Sequence, residues 1–240
     1  MLLVAGAALI GGFVRGFAGF GSALVVMPLA TMVIAPQLAI IMMCFLEIPS
    51  AIWLLRKSWG LVRPREIALI MAGALIGSPI GIEILIALDP PTIRWIICGL
   101  IFMAVTSLAT GWRYSGATSP IAAGAVGFTS GITGAVAAIG LVPVVLFWLS
   151  GREEAAAVTR ANILAYSVFL IGFVLVMMTV RELVTVQIVL GSLAILPFYI
   201  GAAWVGERYF AGTSNQGYKS VALLICALAA LIGLPLWSGD

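Results

Sequence analysis

Apolar residues run along the chain in long stretches, and charged or turn-forming residues punctuate them. Six stretches, 36–55, 67–88, 93–110, 155–180, 183–205 and 221–237, are almost free of charge. Each approaches or exceeds the roughly 20 residues that a helix needs to cross about 30 Å of hydrocarbon. The punctuation is Arg56-Lys57, Asp89-Pro90-Pro91, Gly111-Trp112-Arg113, Arg181-Glu182 and Glu207-Arg208. Two further stretches, 1–34 and 120–149, differ because glycine interrupts each in its middle. At about 30 residues they are too long for one straight span and too short for two complete ones.

The two interrupted stretches are copies of one pattern. Gly12-Phe13-Val14-Arg15-Gly16-Phe17-Ala18-Gly19 precedes Pro28, and Gly127-Phe128-Thr129-Ser130-Gly131-Ile132-Thr133-Gly134 precedes Pro143. The shared Gly, Phe, Gly, Gly and Pro recur at one offset, 115, which takes 12 to 127 and 28 to 143. Gly73 and Pro79 recur as Gly191 and Pro197 at an offset of 118. The chain therefore reads as one transmembrane domain, 1–240, made of two repeats, 1–114 and 115–240.

Loop charge sets the expected orientation. Arg56, Lys57, Arg63 and Arg65 crowd one short loop, which the positive-inside rule places in the cytoplasm. If each broken stretch crosses once, basic residues divide almost evenly between the two sides. If each dips in and returns as a hairpin of two short helices, only Arg94 and Arg181 fall outside, with Arg15 inside the motif itself. The hairpin arrangement fits the rule better. It predicts an all-α integral membrane protein with about eight hydrophobic segments in two inverted repeats. Each repeat is a broken re-entrant hairpin plus three transmembrane helices, and both termini face outward.

Composition agrees with a bilayer protein and removes other classes. The chain is 63% apolar and 9% charged, with mean hydropathy +1.22, against about 45–50% and about 25% for a soluble domain. The net charge of +3 sits mostly in short loops and does not indicate nucleic-acid binding. Cys44, Cys98 and Cys226 lie in apolar runs and read as small core residues. There is no histidine, which removes Ser-His and Cys-His catalysis and HExxH zinc chemistry. No enzyme, metal site or cofactor is expected. Residues 1–13 carry no positive n-region, so a cleaved signal peptide is not expected.

The breaks carry the expected chemistry. Unpaired backbone is costly in hydrocarbon, so a break at membrane depth needs protein or a cavity around it. Gly16, Gly19 and Gly21 in one copy, and Gly131, Gly134 and Gly140 in the other, allow turns and close approach. A helix that starts after each break offers free N–H groups and a positive dipole end. Two such ends facing each other would hold an anion. Ser22, Ser130 and Thr133 add hydroxyls beside the breaks. Gly73, Gly77 and Gly81 share a helix face and read as packing residues. Ionisable residues inside spans need a reason. Arg15 either binds substrate or pairs structurally with Glu47, and Glu47 either carries a coupling proton or only pairs with an arginine, Arg15 or Arg160. Arg160 either snorkels or grips substrate, with Asn162 adding uncharged donors. Trp and Tyr residues are given no functional role.

The duplicated glycine motif, the basic loop after the span 36–55 and Arg160-Ala161-Asn162 resemble the sulfite exporter TauE/SafE family over the whole chain. The resemblance implies a multi-pass protein of the bacterial inner membrane that moves small sulfur anions: sulfite, sulfoacetate and other organosulfonates. The expected function is a secondary transporter in the direction of export. It would work by alternating access, with the anion at the N-termini of the two broken helices. The expected substrate-binding set is Arg15, Gly19, Gly21, Ser22, Ser130, Thr133, Gly134, Gly140, Arg160 and Asn162. The alternative is an anion channel, or a permease for a different small organic anion. The expected partners are the anion and the lipid bilayer, with no nucleic acid, and the short loops are compatible with a homodimer.

Overall fold

A computed structural model describes residues 2–18, 21–111, 119–148, 156–210 and 215–235. Among these residues the fold is all-helical. The helices are α1 (Leu2–Ala18), α2 (Ser22–Ala30), α3 (Pro36–Ser58), α4 (Pro64–Ala87), α5 (Pro90–Ala109), α6 (Pro120–Ala137), α7 (Leu141–Trp148), α8 (Ala156–Val180), α9 (Val186–Phe210) and α10 (Asn215–Gly233). A 3-10 turn, Trp59–Leu61, follows α3. Proline opens α3, α4, α5 and α6, where its missing N–H is no loss. Asp89 and Ser119 accept hydrogen bonds from Thr92 and Ala122 N–H at the starts of α5 and α6.

Among the described residues, six helices are long and apolar enough to cross a membrane: α3, α4, α5, α6, α8 and α9. The protein is thus multi-pass. The set is not the one expected, because α6, read as a short hairpin arm, has span length. The broken stretches are uneven. Their first arms, α1 and α6, have 17 and 18 residues, and their second arms, α2 and α7, have 9 and 8. The second arms rise only about 12–14 Å, less than half the hydrocarbon. Both fold back along the first arms: Gly11 faces Ser22 and Val26, and Gly140 faces Ser130 and Gly134. Every residue of α2 except Leu29 is buried, so protein surrounds this half-length helix at depth.

Glycine decides which helices touch. A Cβ on Gly73, Gly77 or Gly81 of α4 would lie 2.2, 2.1 or 2.7 Å from the carbonyl oxygens of Gly124, Phe128 and Ile132 in α6. Gly127 and Gly131 of α6 face Ile70 and Ala74 as closely. Gly12 and Gly16 of α1 meet Tyr199 and Ala203 of α9 in the same way. Residue numbers rise together in both pairs, so α4 runs parallel to α6 and α1 parallel to α9. Much of the duplicated motif therefore serves packing, and the second break lies after it, at Ala138.

Candidate functional site

The first break lies between α1 and α2. Gly21 takes φ 95°, a left-handed conformation that glycine adopts without steric cost, and sits at the N-cap of α2. Beside it, the Ser22 hydroxyl donates to Glu47 Oε1 in a short bond. Arg15, one turn before the end of α1, brings Nη1 to 3.1 Å from the same oxygen. Its Nε donates to Ser50 Oγ at 3.0 Å, and Ser50 Oγ donates to the Glu47 carbonyl at 2.8 Å. Arg15 and Glu47 are 3% and 6% exposed, so both charges are out of water and each is compensated by the other. An anion, the protein's own carboxylate, is thus bonded to the first residue of α2.

The second break, between α6 and α7, is built differently. Ala138 takes φ 57°, where a non-glycine residue costs about 1–2 kcal/mol. Ser130 Oγ donates to the Gly140 carbonyl in a short bond and lies 2.7 Å from the Tyr166 hydroxyl. Its hydrogen bonds fasten the turn.

Cavities join these parts. One of about 30 Å³ is lined by Glu47 and Cys44 on α3, by Gly134, Ala138 and Gly140 at the second break, and by Leu170 and others of α8. It is far smaller than the cavities on the other side of the ion pair. On the other side of the ion pair, a cavity of about 330 Å³ is lined by Arg15, Ser50, Trp53, Arg160, Trp204 and Glu207. A further cavity of about 420 Å³ continues from Arg160 and Glu207 to Lys57 and Ser58 at the basic end of the bundle. Arg15, Ser22 and Glu47 form the polar partition between this approach and the second break.

A buried arginine behind a basic approach, in an apolar helical bundle with two broken helices, suits a small anion and no covalent chemistry. The family described as "Sulfite exporter TauE/SafE" matches residues 4–233 of the 240. The chain belongs to the TauE/SafE sulfite exporter family. As a member it is a membrane transporter of sulfur anions such as sulfite, and not an enzyme. Comparison with curated proteins and with solved structures gave no match.

The fold gathers only part of the expected site. Arg15, Gly21, Ser22 and Glu47 meet at the first break, while Gly134 and Gly140 reach the same Glu47 through the small cavity. Ser130 is present but spent on Gly140 and Tyr166. Thr133 is elsewhere: its hydroxyl donates to Thr129 O at 2.9 Å, and it lines an apolar cavity of about 660 Å³ between α5, α6 and α7. Asn162 is also elsewhere. Its side chain accepts from Arg63 N–H at 2.8 Å and donates to Glu66 at 3.0 Å, so it ties α8 to the start of α4. Two residues away on a helix, Arg160 faces another way; it is exposed at the cavity mouth, and the pairing of Glu47 is with Arg15. Gly19 lies outside the described residues. Sequence reasoning missed Ser50 and Tyr199. Tyr199 is fully buried beside Arg15, Glu47 and Ser22. The only signal available for it was a hydroxyl in an otherwise apolar run.

Proposed function

We propose that the protein is a secondary transporter that exports sulfite and small organosulfonates, sulfoacetate among them, from the bacterial cytoplasm across the inner membrane. The observation that carries this is the Arg15–Glu47–Ser22 cluster at the start of α2, with the large cavity on one side and the second break on the other. The anion enters from the basic end, past Lys57 and Arg160, and takes the place of the carboxylate at Arg15. Guanidinium suits such a head because it donates two parallel hydrogen bonds.

The two halves, 1–114 and 115–240, are inverted repeats. In support, each half has the same order of a long arm, a short arm and three long helices. The parallel pair α4–α6 also corresponds to the parallel pair α9–α1 if the halves exchange. Alternating access then exposes the site first to one side and then to the other. Expelling an anion is downhill in the membrane potential by about 2.3 kcal/mol per charge per 100 mV, so export needs no coupling ion. Should Glu47 carry a proton as well, transport by Glu47→Gln would cease to respond to a pH gradient while substrate binding persisted.

The test is purified protein in liposomes with labelled sulfite, sulfoacetate, taurine, sulfate and phosphate. Saturable flux of sulfite and sulfoacetate, with counter-transport, is expected. Unsaturable conductance would replace the carrier by a channel, and a preference for phosphate or a carboxylate would replace the substrate class.

A further inference from the structure

Among the described residues two tyrosines are buried completely, Tyr166 and Tyr199. The hydroxyl of Tyr166 is paired with Ser130. The hydroxyl of Tyr199 makes no hydrogen bond of good geometry among the described residues: Ser22, whose own hydroxyl donates to Glu47, is within reach of it, and the charges of Arg15 and Glu47 act on it. A phenol hydroxyl taken out of water without a partner is costly and calls for a reason. Packing does not supply one. Phenylalanine would fill the same space against Gly12 without the orphaned oxygen. Nor does the repeat plan require a ring here, since the residue 118 positions earlier is Gly81.

A second donor stands open beside it. Arg15 Nη1 faces Glu47 Oε1 as an ion pair, but without the alignment of a hydrogen bond. Arg15 and Ser22 both converge on that one oxygen. A carboxylate is planar and offers two oxygens, whereas sulfite or a sulfonate head offers three in a pyramid.

We propose that Tyr199 is a substrate-binding residue: its hydroxyl joins Arg15 and Ser22 around the three oxygens of a sulfite or sulfonate head, in the place held here by the Glu47 carboxylate. The assignment rests on the transport of sulfur oxyanions proposed above and adds to it a basis for selectivity. The third donor is used by a three-oxygen head and wasted on a carboxylate, so Tyr199 favours sulfur oxyanions over carboxylates of similar size.

The experiment compares wild type and Tyr199→Phe in liposomes, with labelled sulfite as substrate and acetate as competitor, and the melting temperature of each in detergent. In Tyr199→Phe the KM for sulfite should rise roughly tenfold or more, as for loss of a hydrogen bond to a charged group, with kcat within about twofold. Inhibition by acetate should be unchanged, so preference for sulfite falls by the same factor. The melting temperature should hold or rise, because an unpaired buried hydroxyl is gone. An unchanged sulfite KM, or an equal loss for acetate, overturns the proposal. So does a collapse of the melting temperature, which would mark the hydroxyl as structural. Absence of sulfite transport by the wild type overturns the functional reading itself; wild-type transport with an unaffected Tyr199→Phe overturns the Tyr199 assignment alone.

Discussion

Arg15 and Glu47 hold each other where neither charge could remain alone. Removing one partner of a buried pair costs about 3–5 kcal/mol, since the survivor stays desolvated. Glu47→Gln should therefore lower the melting temperature and the folded yield. Added sulfite, as a replacement anion for Arg15, should recover part of the loss; thermal melts with and without sulfite check this. The two arginines facing the approach cavity should separate cleanly. Arg15→Lys keeps the charge and loses the planar fork. Its KM for sulfite should rise about 10- to 150-fold, the equivalent of about 1.5–3 kcal/mol. Arg160 is exposed at the cavity mouth, where water and salt screen it. Arg160→Lys should transport like the wild type, and Arg160→Gln should slow entry a few-fold, with the difference fading at high salt. Steady-state flux in liposomes at two ionic strengths distinguishes the roles.

At the scale of the helix, glycine acts in two ways that the sequence does not distinguish. Gly127 sits with Ile70 O 2.0 Å from where its Cβ would be, whereas Gly172 has nothing within 4 Å. Gly127→Ala must push α6 off α4, and loss of folded protein is expected by size-exclusion chromatography. Gly172→Ala should fold normally and gain up to about 1 kcal/mol from helix propensity. These backbone contacts also bind each hairpin to the other half of the chain, α6 to α4 and α1 to α9. If the transport cycle moves rigid bodies, these close pairs move together, because interlocked glycine faces leave no room to slide. That the two stretches are interrupted was legible, but the place of the second break was not: Gly131 and Gly134 lie inside α6, and the chain turns at Ala138. The unequal arms were not legible either, because apolar composition marks depth and says little about where a helix turns.

For the whole molecule, the groups at each end follow from the contacts. Lys57, Arg160 and Glu207 gather at one end. At the other, Arg181 pairs with Glu83, Arg94 Nη2 donates to Gly233 O, and Gln37 donates to Leu85 O. If the basic end is cytoplasmic, sidedness can be read directly. In a variant without the native cysteines, a cysteine at Ser58 should resist an impermeant thiol reagent in intact cells, and one at Thr185 should react. Protection at Thr185 together with Ser58 would restore a single crossing by each broken stretch and remove the inverted arrangement.

Length and apolarity settled the solvent of this protein, because about 20 uncharged residues have few other places to fold. They also located five of the six helices of span length and the basic loop. The glycine motif carried the family. What the tertiary structure decided was which side chains meet: Arg15 with Glu47 rather than Arg160, Asn162 with Glu66 rather than an anion, Thr133 toward an apolar cavity, and Tyr199 beside the ion pair. The reason is physical. A helix in lipid is apolar on every side, so no amphipathic stripe reveals which face turns inward. Rotation about each helix axis is set by close packing between segments far apart in the chain, and only that packing brings the polar side chains together.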